Sequence, residues 1–182
     1  MVPAVADLIA VIGCGNRTRS DDGFGGAVIR RLAERSGPEA GPLGSMTRGR
    51  AGPRLVIRDA GTDGMAVMLA ARGCSALIVV DACRTGGVPG TLFELPADAV
   101  AAPHRPSLTL HDFRWDHALH AGRAMWGAGF PSEVTVLLVE AASVAFGLEL
   151  SPAVALAVGR AVARIEQLLA ARGLAPGPAA VS

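Results

Sequence analysis

The sequence predicts an α/β fold, a mainly parallel five-stranded sheet sandwiched between helices. Three observations carry this. Short, wholly apolar runs such as Leu8-Ile-Ala-Val-Ile12 and Leu77-Ile-Val-Val80 recur along the chain, the pattern of strands buried on both faces. Amphipathic helical segments alternate with them. The length of 182 residues suits one domain, residues 1–182, whose core stands without metal or disulfide staples.

The first strand covers residues 7–13 and ends in Gly13. A polar loop, Cys14 to Asp22, leads to a helix on which Phe24, Val28 and Leu32 recur every four residues, opposite Arg30, Arg31, Glu34 and Arg35. Residues 37–53 are dense in Gly and Pro and read as a surface loop, with Arg48 and Arg50 available to a partner. The second strand, Arg54–Asp59, runs into Ala60-Gly-Thr-Asp-Gly64. There Thr62 or Asp63 suits the cap of a helix from Met65 to Arg72, closed by Gly73.

The third strand, Ala76–Val80, meets Asp81. A Gly86–Gly90 turn cluster precedes a short fourth strand, Thr91–Leu95. That connection is too short for a helical crossover, so strand four should run antiparallel. After an irregular stretch, a helix should span about Leu110 to Trp126, followed by a break at Gly127–Pro131 and a fifth strand, Val134–Val139. Ser151-Pro152 reads as an N-cap with proline at the first helical position. The last helix then lines up Val154, Val158, Val162, Ile165 and Leu169 and ends at Gly173, leaving 174–182 as a disordered tail.

Composition excludes several functions. All 17 basic residues are arginine, against 16 acids, for a net charge of +1. No strong field gathers nucleic acid or anionic lipid. Without Lys or Tyr there is no Schiff-base lysine, no P-loop lysine and no tyrosine acid–base chemistry. Apolar runs fall short of the ~20 residues a membrane span needs, and the N-terminus lacks the basic region of a signal peptide. Cys14, Cys74 and Cys83 are odd in number and widely spaced, which points to a reducing compartment. The expectation is a soluble cytoplasmic protein with neither nucleic acid nor membrane as partner.

In an open parallel sheet, ligands bind beyond the carboxyl ends of the strands. Asn16, Asp21 and Asp22 follow strand one; Asp59, Gly61 and Thr62 follow strand two; Asp81 follows strand three. His111 should open the helix before strand five, on the face of Trp115, Ala118, Gly122 and Met125. Asp112, Asp116, His120 and Arg123 make a solvated stripe, and His117 lies on neither face. An acid at a sheet rim needs a partner: a metal, or backbone N–H groups that it caps. A helix N-terminus favours one carboxylate by about 0.3–1 kcal/mol, which accounts for Asp21 or Asp22 but less well for both.

Asp22, Asp81 and His111 together would leave coordination positions open on an ion such as nickel, zinc or manganese. Cys14 is placed to approach that site, while Cys74 and Cys83 read as small hydrophobes. Gly13-Cys-Gly15 also invites a dinucleotide reading. Thr18 stands where the third glycine of that fingerprint belongs, while Asp59 sits where a ribose-binding acid would, so the alternative stays open.

Five blocks in order resemble the hydrogenase maturation protease family, the endopeptidases that trim the C-terminus of the nickel–iron (NiFe) hydrogenase large subunit. They are Gly13-Cys-Gly-Asn-Arg-Thr-Arg-Ser-Asp-Asp-Gly-Phe-Gly25, Asp59-Ala-Gly-Thr62 with Gly64-Met65, Val80-Asp-Ala82, Ser107-Leu-Thr-Leu-His111 and Gly147-Leu-Glu-Leu-Ser-Pro152. The resemblance implies a three-layer α/β/α domain with a mixed sheet. It also implies that Asp22, Asp81 and His111 contact nickel carried by the large-subunit precursor and act in catalysis. Arg114 and Asp116 stand where many members carry Gly and apolar residues, and the 37–53 loop is longer than usual. A non-proteolytic maturation chaperone or adaptor of the same fold, and a nucleotide-binding α/β protein, are the alternative functions.

Overall fold

A computed structural model describes residues 8–36, 53–100 and 113–174. Most of the 37–53 loop, His111 with the segment around it, and the tail beyond Leu174 lie outside the described residues. The elements are β1 (Leu8–Cys14), α1 (Phe24–Ser36), β2 (Arg54–Gly61), α2 (Gly64–Ala71), β3 (Ala76–Cys83), β4 (Leu92–Pro96), α3 (Trp115–Trp126), β5 (Glu133–Glu140) and α4 (Pro152–Ala170). One sheet has the strand order β2-β1-β3-β5-β4. Its first four strands run parallel, and β4 runs antiparallel along β5 at the edge.

Two apolar layers follow from the two faces of the strands. Odd positions of β1, Ile9 and Val11, pack with Phe24, Val28 and Leu32 of α1 and with Val154, Val162 and Ile165 of α4. Even positions, Ala10, Ile12 and Cys14, pack with Val67 and Met68 of α2 and Ala118 and Leu119 of α3. The period of two thus sends alternate side chains to opposite helical layers. Arg35 joins α1 to Glu166 of α4 through a two-pronged ion pair at 2.7 and 3.2 Å. No helix among the described residues is long and apolar enough to cross a membrane.

The structure departs from the sequence expectations at three places. Within the described residues α3 starts at Trp115, not near Leu110, because Phe113 and Arg114 are used otherwise. Arg114 is extended (φ −84°, ψ 173°), and the Phe113 carbonyl accepts from the Gly64 N–H at the start of α2 at 3.1 Å. The approach is so close that a methyl group at Gly64 would lie 2.2 Å from that carbonyl oxygen. The inward face of α3 is Trp115, Ala118, Leu119 and Gly122, while Met125, expected inside, lies in the last turn and is 66% exposed. Leu174, expected to open a disordered tail, is buried against the α1–α4 layer.

Candidate active site

Because β1, β2 and β3 run parallel in register, Gly13 facing both Asp59 and Val80, the residues that follow them share one edge. An open cleft of about 420 Å³ lies there, with Cys14, Gly15, Asp22, Gly61, Asp81 and Trp115 in its wall. Asp22 and Asp81, far apart in sequence, therefore face one space.

Asp81 ends the apolar stretch of β3 and is only 4% exposed. Its Oδ1 accepts the Ala82 N–H at 2.8 Å and its Oδ2 the Trp115 indole N–H at 2.6 Å. Burial pushes its carboxyl up to about 6, and the negative charge of Asp22 adds to that. The two hydrogen bonds and the Arg114 guanidinium pull the other way. Asp22 is half-buried in a 3-10 turn, Ser20–Gly23, and its Oδ2 accepts the Asn16 N–H at 2.8 Å. Among the described residues nothing donates to its Oδ1.

Gly15 lets these acids meet. Its φ is +115°, and a methyl group there would lie 1.9 Å from the Asp22 carbonyl oxygen and 3.1 Å from Asp81 Oδ1. Both the backbone region and the space exclude a side chain. Gly15→Ala is expected to lower stability in urea unfolding by about 2 kcal/mol and to slow turnover in parallel. An unchanged unfolding midpoint would show that the turn yields without cost.

The remaining candidates divide by role. Asp21 is fully buried and is not part of the cleft wall. Its oxygens accept the N–H groups of Ala142, Ser143 and Ser151 and the Ser151 hydroxyl, at 2.6–3.0 Å. It welds the β5–α4 loop to the acid-bearing loop, and Ser151, the N-cap residue of α4 as expected, gives its hydroxyl to Asp21 rather than to the helix. Asn16 folds its own loop, its Oδ1 accepting from the Thr18 N–H and hydroxyl. Asp59 Oδ1 accepts the Gly61 N–H at 3.0 Å and shapes that turn. Gly61 and Thr62 line the cleft directly, and Asp63, not Thr62, caps α2 through the Ala66 N–H.

Cys14 lines the cleft but is buried, which raises its thiol well above the ordinary range, helped by the charges of Asp81 and Asp59. It stays a neutral thiol at physiological pH. Among the described residues, no three His, Cys, Asp or Glu side chains group closely enough to enclose a metal ion. The two acids are part of a ligand set at most, and His111 lies outside the described residues.

Two further residues matter. Trp115 orients Asp81; a buried indole N–H needs an acceptor, but which one is decided by the fold. Glu140, 2% exposed, binds the Thr85 hydroxyl at 2.6 Å and the N–H groups of Thr85 and Gly86 at 2.9 Å. These bonds, the Thr85 hydroxyl first, hold its carboxyl below the usual range. The signal was present, since Glu140 follows Val139 as Asp81 follows Val80, an acid directly after an apolar strand.

Comparison with known proteins agrees with this architecture. The sequence profile of the hydrogenase maturation protease family matches residues 43–168. The chain is 31% identical over 171 residues to the hydrogenase expression/formation protein HupD of Rhodobacter capsulatus, covering 92% of this chain and 74% of that protein. The hydrogenase maturating endopeptidase HybD from E. coli shares the fold at a TM-score of 0.73 and 23% identity, over 96% of this chain and 99% of that one. The hydrogenase 2 maturation peptidase from Thaumarchaeota archaeon SCGC_AB-539-E09 superposes at 0.60 with 26% identity, over 90% and 98% of the two chains. With its sheet order, its paired acids and these likenesses accounted for, the chain belongs to the hydrogenase maturation protease family.

Proposed function

We propose that this protein is an endopeptidase that removes the C-terminal extension of a nickel–iron hydrogenase large-subunit precursor once nickel has been inserted, acting in the cytoplasm. The observation that carries the reading is the meeting of Asp22 and Asp81 in one cleft at the carboxyl edge of the sheet, in a chain of this family. The nickel belongs to the substrate. It arrives held by the precursor and gains oxygen ligands from Asp22 and Asp81 and a nitrogen from His111. Phe113, two residues beyond His111 in the sequence, is hydrogen-bonded to Gly64 on the cleft wall.

The two acids differ in aptitude. Asp22, with Oδ1 unclaimed by the described residues, is the freer ligand. Asp81, its carboxyl pushed up to about 6, is the better base near neutral pH in the step in which it does not ligate the ion. Cleavage adds water across the scissile amide. Asp81 takes a proton as the water oxygen bonds to the carbonyl carbon, and the departing nitrogen receives it as the C–N bond breaks. The precursor's ion supplies several kcal/mol by polarising that carbonyl or acidifying the water. Recognition and chemistry then depend on one ion, which makes cleavage conditional on metal insertion.

Mass spectrometry of the large subunit tests this. Incubated with the protein, nickel-loaded precursor should lose its C-terminal extension and nickel-free precursor should stay full length. Unchanged length in both, with a stable complex on a sizing column, would make the protein an adaptor. Equal cleavage of both would remove nickel from recognition.

A further inference from the structure

The cleft continues past the acid pair. A second groove, about 610 Å³, shares Asp22 and Arg114 with the first and is lined beyond them by Arg19, Arg84, Cys83 and Val144. Asp22 therefore stands where two grooves join.

Three arginines line the second groove, each carried on anchored backbone or held in place. Arg19 donates its Nε–H to the Val144 carbonyl at 3.1 Å and lies 5.3 Å over the Phe146 ring. Arg84 precedes Thr85, which is fixed by its N–H and hydroxyl to buried Glu140. Arg114 precedes Trp115, whose indole holds Asp81. Their charge is offset in part, by Asp22 in the groove wall and by Asp81, on which Arg114 acts. Among the described residues Arg84 has no ion pair, and Arg114 has only Asp116 at 4.0 Å, with 63% of the arginine side chain exposed. Asp22 is the one described carboxylate lining this groove. The opposite arm differs, since Gly61, Thr62 and Val67 line it with acidic Asp63 at its rim.

An arginine fork matches a carboxylate in shape as well as charge, and a placed arginine loses less freedom on binding one. A protease must also hold the chain on both sides of the bond it cuts.

We propose that the arginine-lined groove holds the substrate polypeptide on one side of the scissile bond and selects carboxylate groups there, with Arg84 and Arg114 as specificity-determining residues. The proposal rests on the protease reading for its substrate, and it assigns the acidic segment to the arginine arm because Asp63 would repel it from the other.

Short fluorescein-labelled peptides on a common apolar frame test it by anisotropy in low salt, in Glu-rich, Gln-rich and Lys-rich forms, each with a free and an amidated C-terminus. The Glu-rich peptide should bind at least about tenfold tighter than the Lys-rich one, with the gap closing as salt rises. Arg84→Glu with Arg114→Glu, shown folded by its thermal melt, should erase or invert the preference. Arg31→Glu, on the outer face of α1 beside Glu34, should leave it intact. A terminal amide that abolishes binding identifies the chain terminus as the carboxylate bound; undiminished binding identifies the Glu side chains, and either supports the groove. Equal affinity for all three compositions, or a preference that survives in the folded double variant, overturns it. Binding here needs no cleavage, so an uncut precursor would sink the protease reading and leave this result standing by itself.

Discussion

Asp81→Asn should lower the rate of precursor cleavage by about 10²–10⁴-fold, the range for loss of a general base, while leaving a folded protein. Its pH behaviour makes the result specific. In the wild type, activity should fall as pH drops through about 6, the value to which burial pushes the Asp81 carboxyl. Any residual activity of the variant should lack that limb. Stability moves in the opposite sense. The folded-state value of about 6 lies above the ordinary 3.8, so between the two the folded protein binds the proton more tightly than the unfolded chain. Ionising Asp81 therefore removes stability as pH rises through that window.

The asparagine variant carries no such penalty. Its stability relative to wild type should grow from pH 4 to 7, by up to about 3 kcal/mol at 1.36 kcal/mol per unit, and level off above. Urea unfolding of both proteins across that range reads the difference. A gap that narrows as pH rises would show that Asp81 is not held in a desolvated site.

The neighbouring acid gives the second large effect, of another kind. Asp21→Asn should destabilise the protein by about 3 kcal/mol or more, since its amide must face donors that now meet the buried carboxylate. That is a large fraction of the roughly 5–15 kcal/mol that holds a domain folded. Asp22→Asn should stay within about 1 kcal/mol of wild type and yet fail to process precursor. Equilibrium unfolding beside a gel-shift assay separates the two. A destabilised Asp22→Asn with a stable Asp21→Asn would reverse the roles given to these residues.

Much of the fold was legible because burial on both faces leaves a plain mark. β3 reads as Ala76-Leu-Ile-Val-Val80 and cannot be mistaken for a surface segment. The antiparallel sense of β4 followed from its short connection, but its seat beside β5 did not, since β5 lies some forty residues downstream. The start of α3 was misplaced because Phe113 and Arg114 carry no local bar to helix. What straightens them is the Gly64 N–H of a different element. Asp22 and Asp81 were both visible as rim acids. That Asp21 belongs to the scaffold was not, since adjacent aspartates are chemically identical until the 142–151 loop arrives to claim one of them.

The bonds of Asp21 also set an order of events. They join residue 21 to residues 142, 143 and 151, partners that leave the ribosome long after the N-terminal loop has emerged. Contacts of such separation close late. The aspartate beside them gains its final posture only after residue 151 has joined the fold, so a nascent chain that stops short of it carries both acids without the loop that sets them.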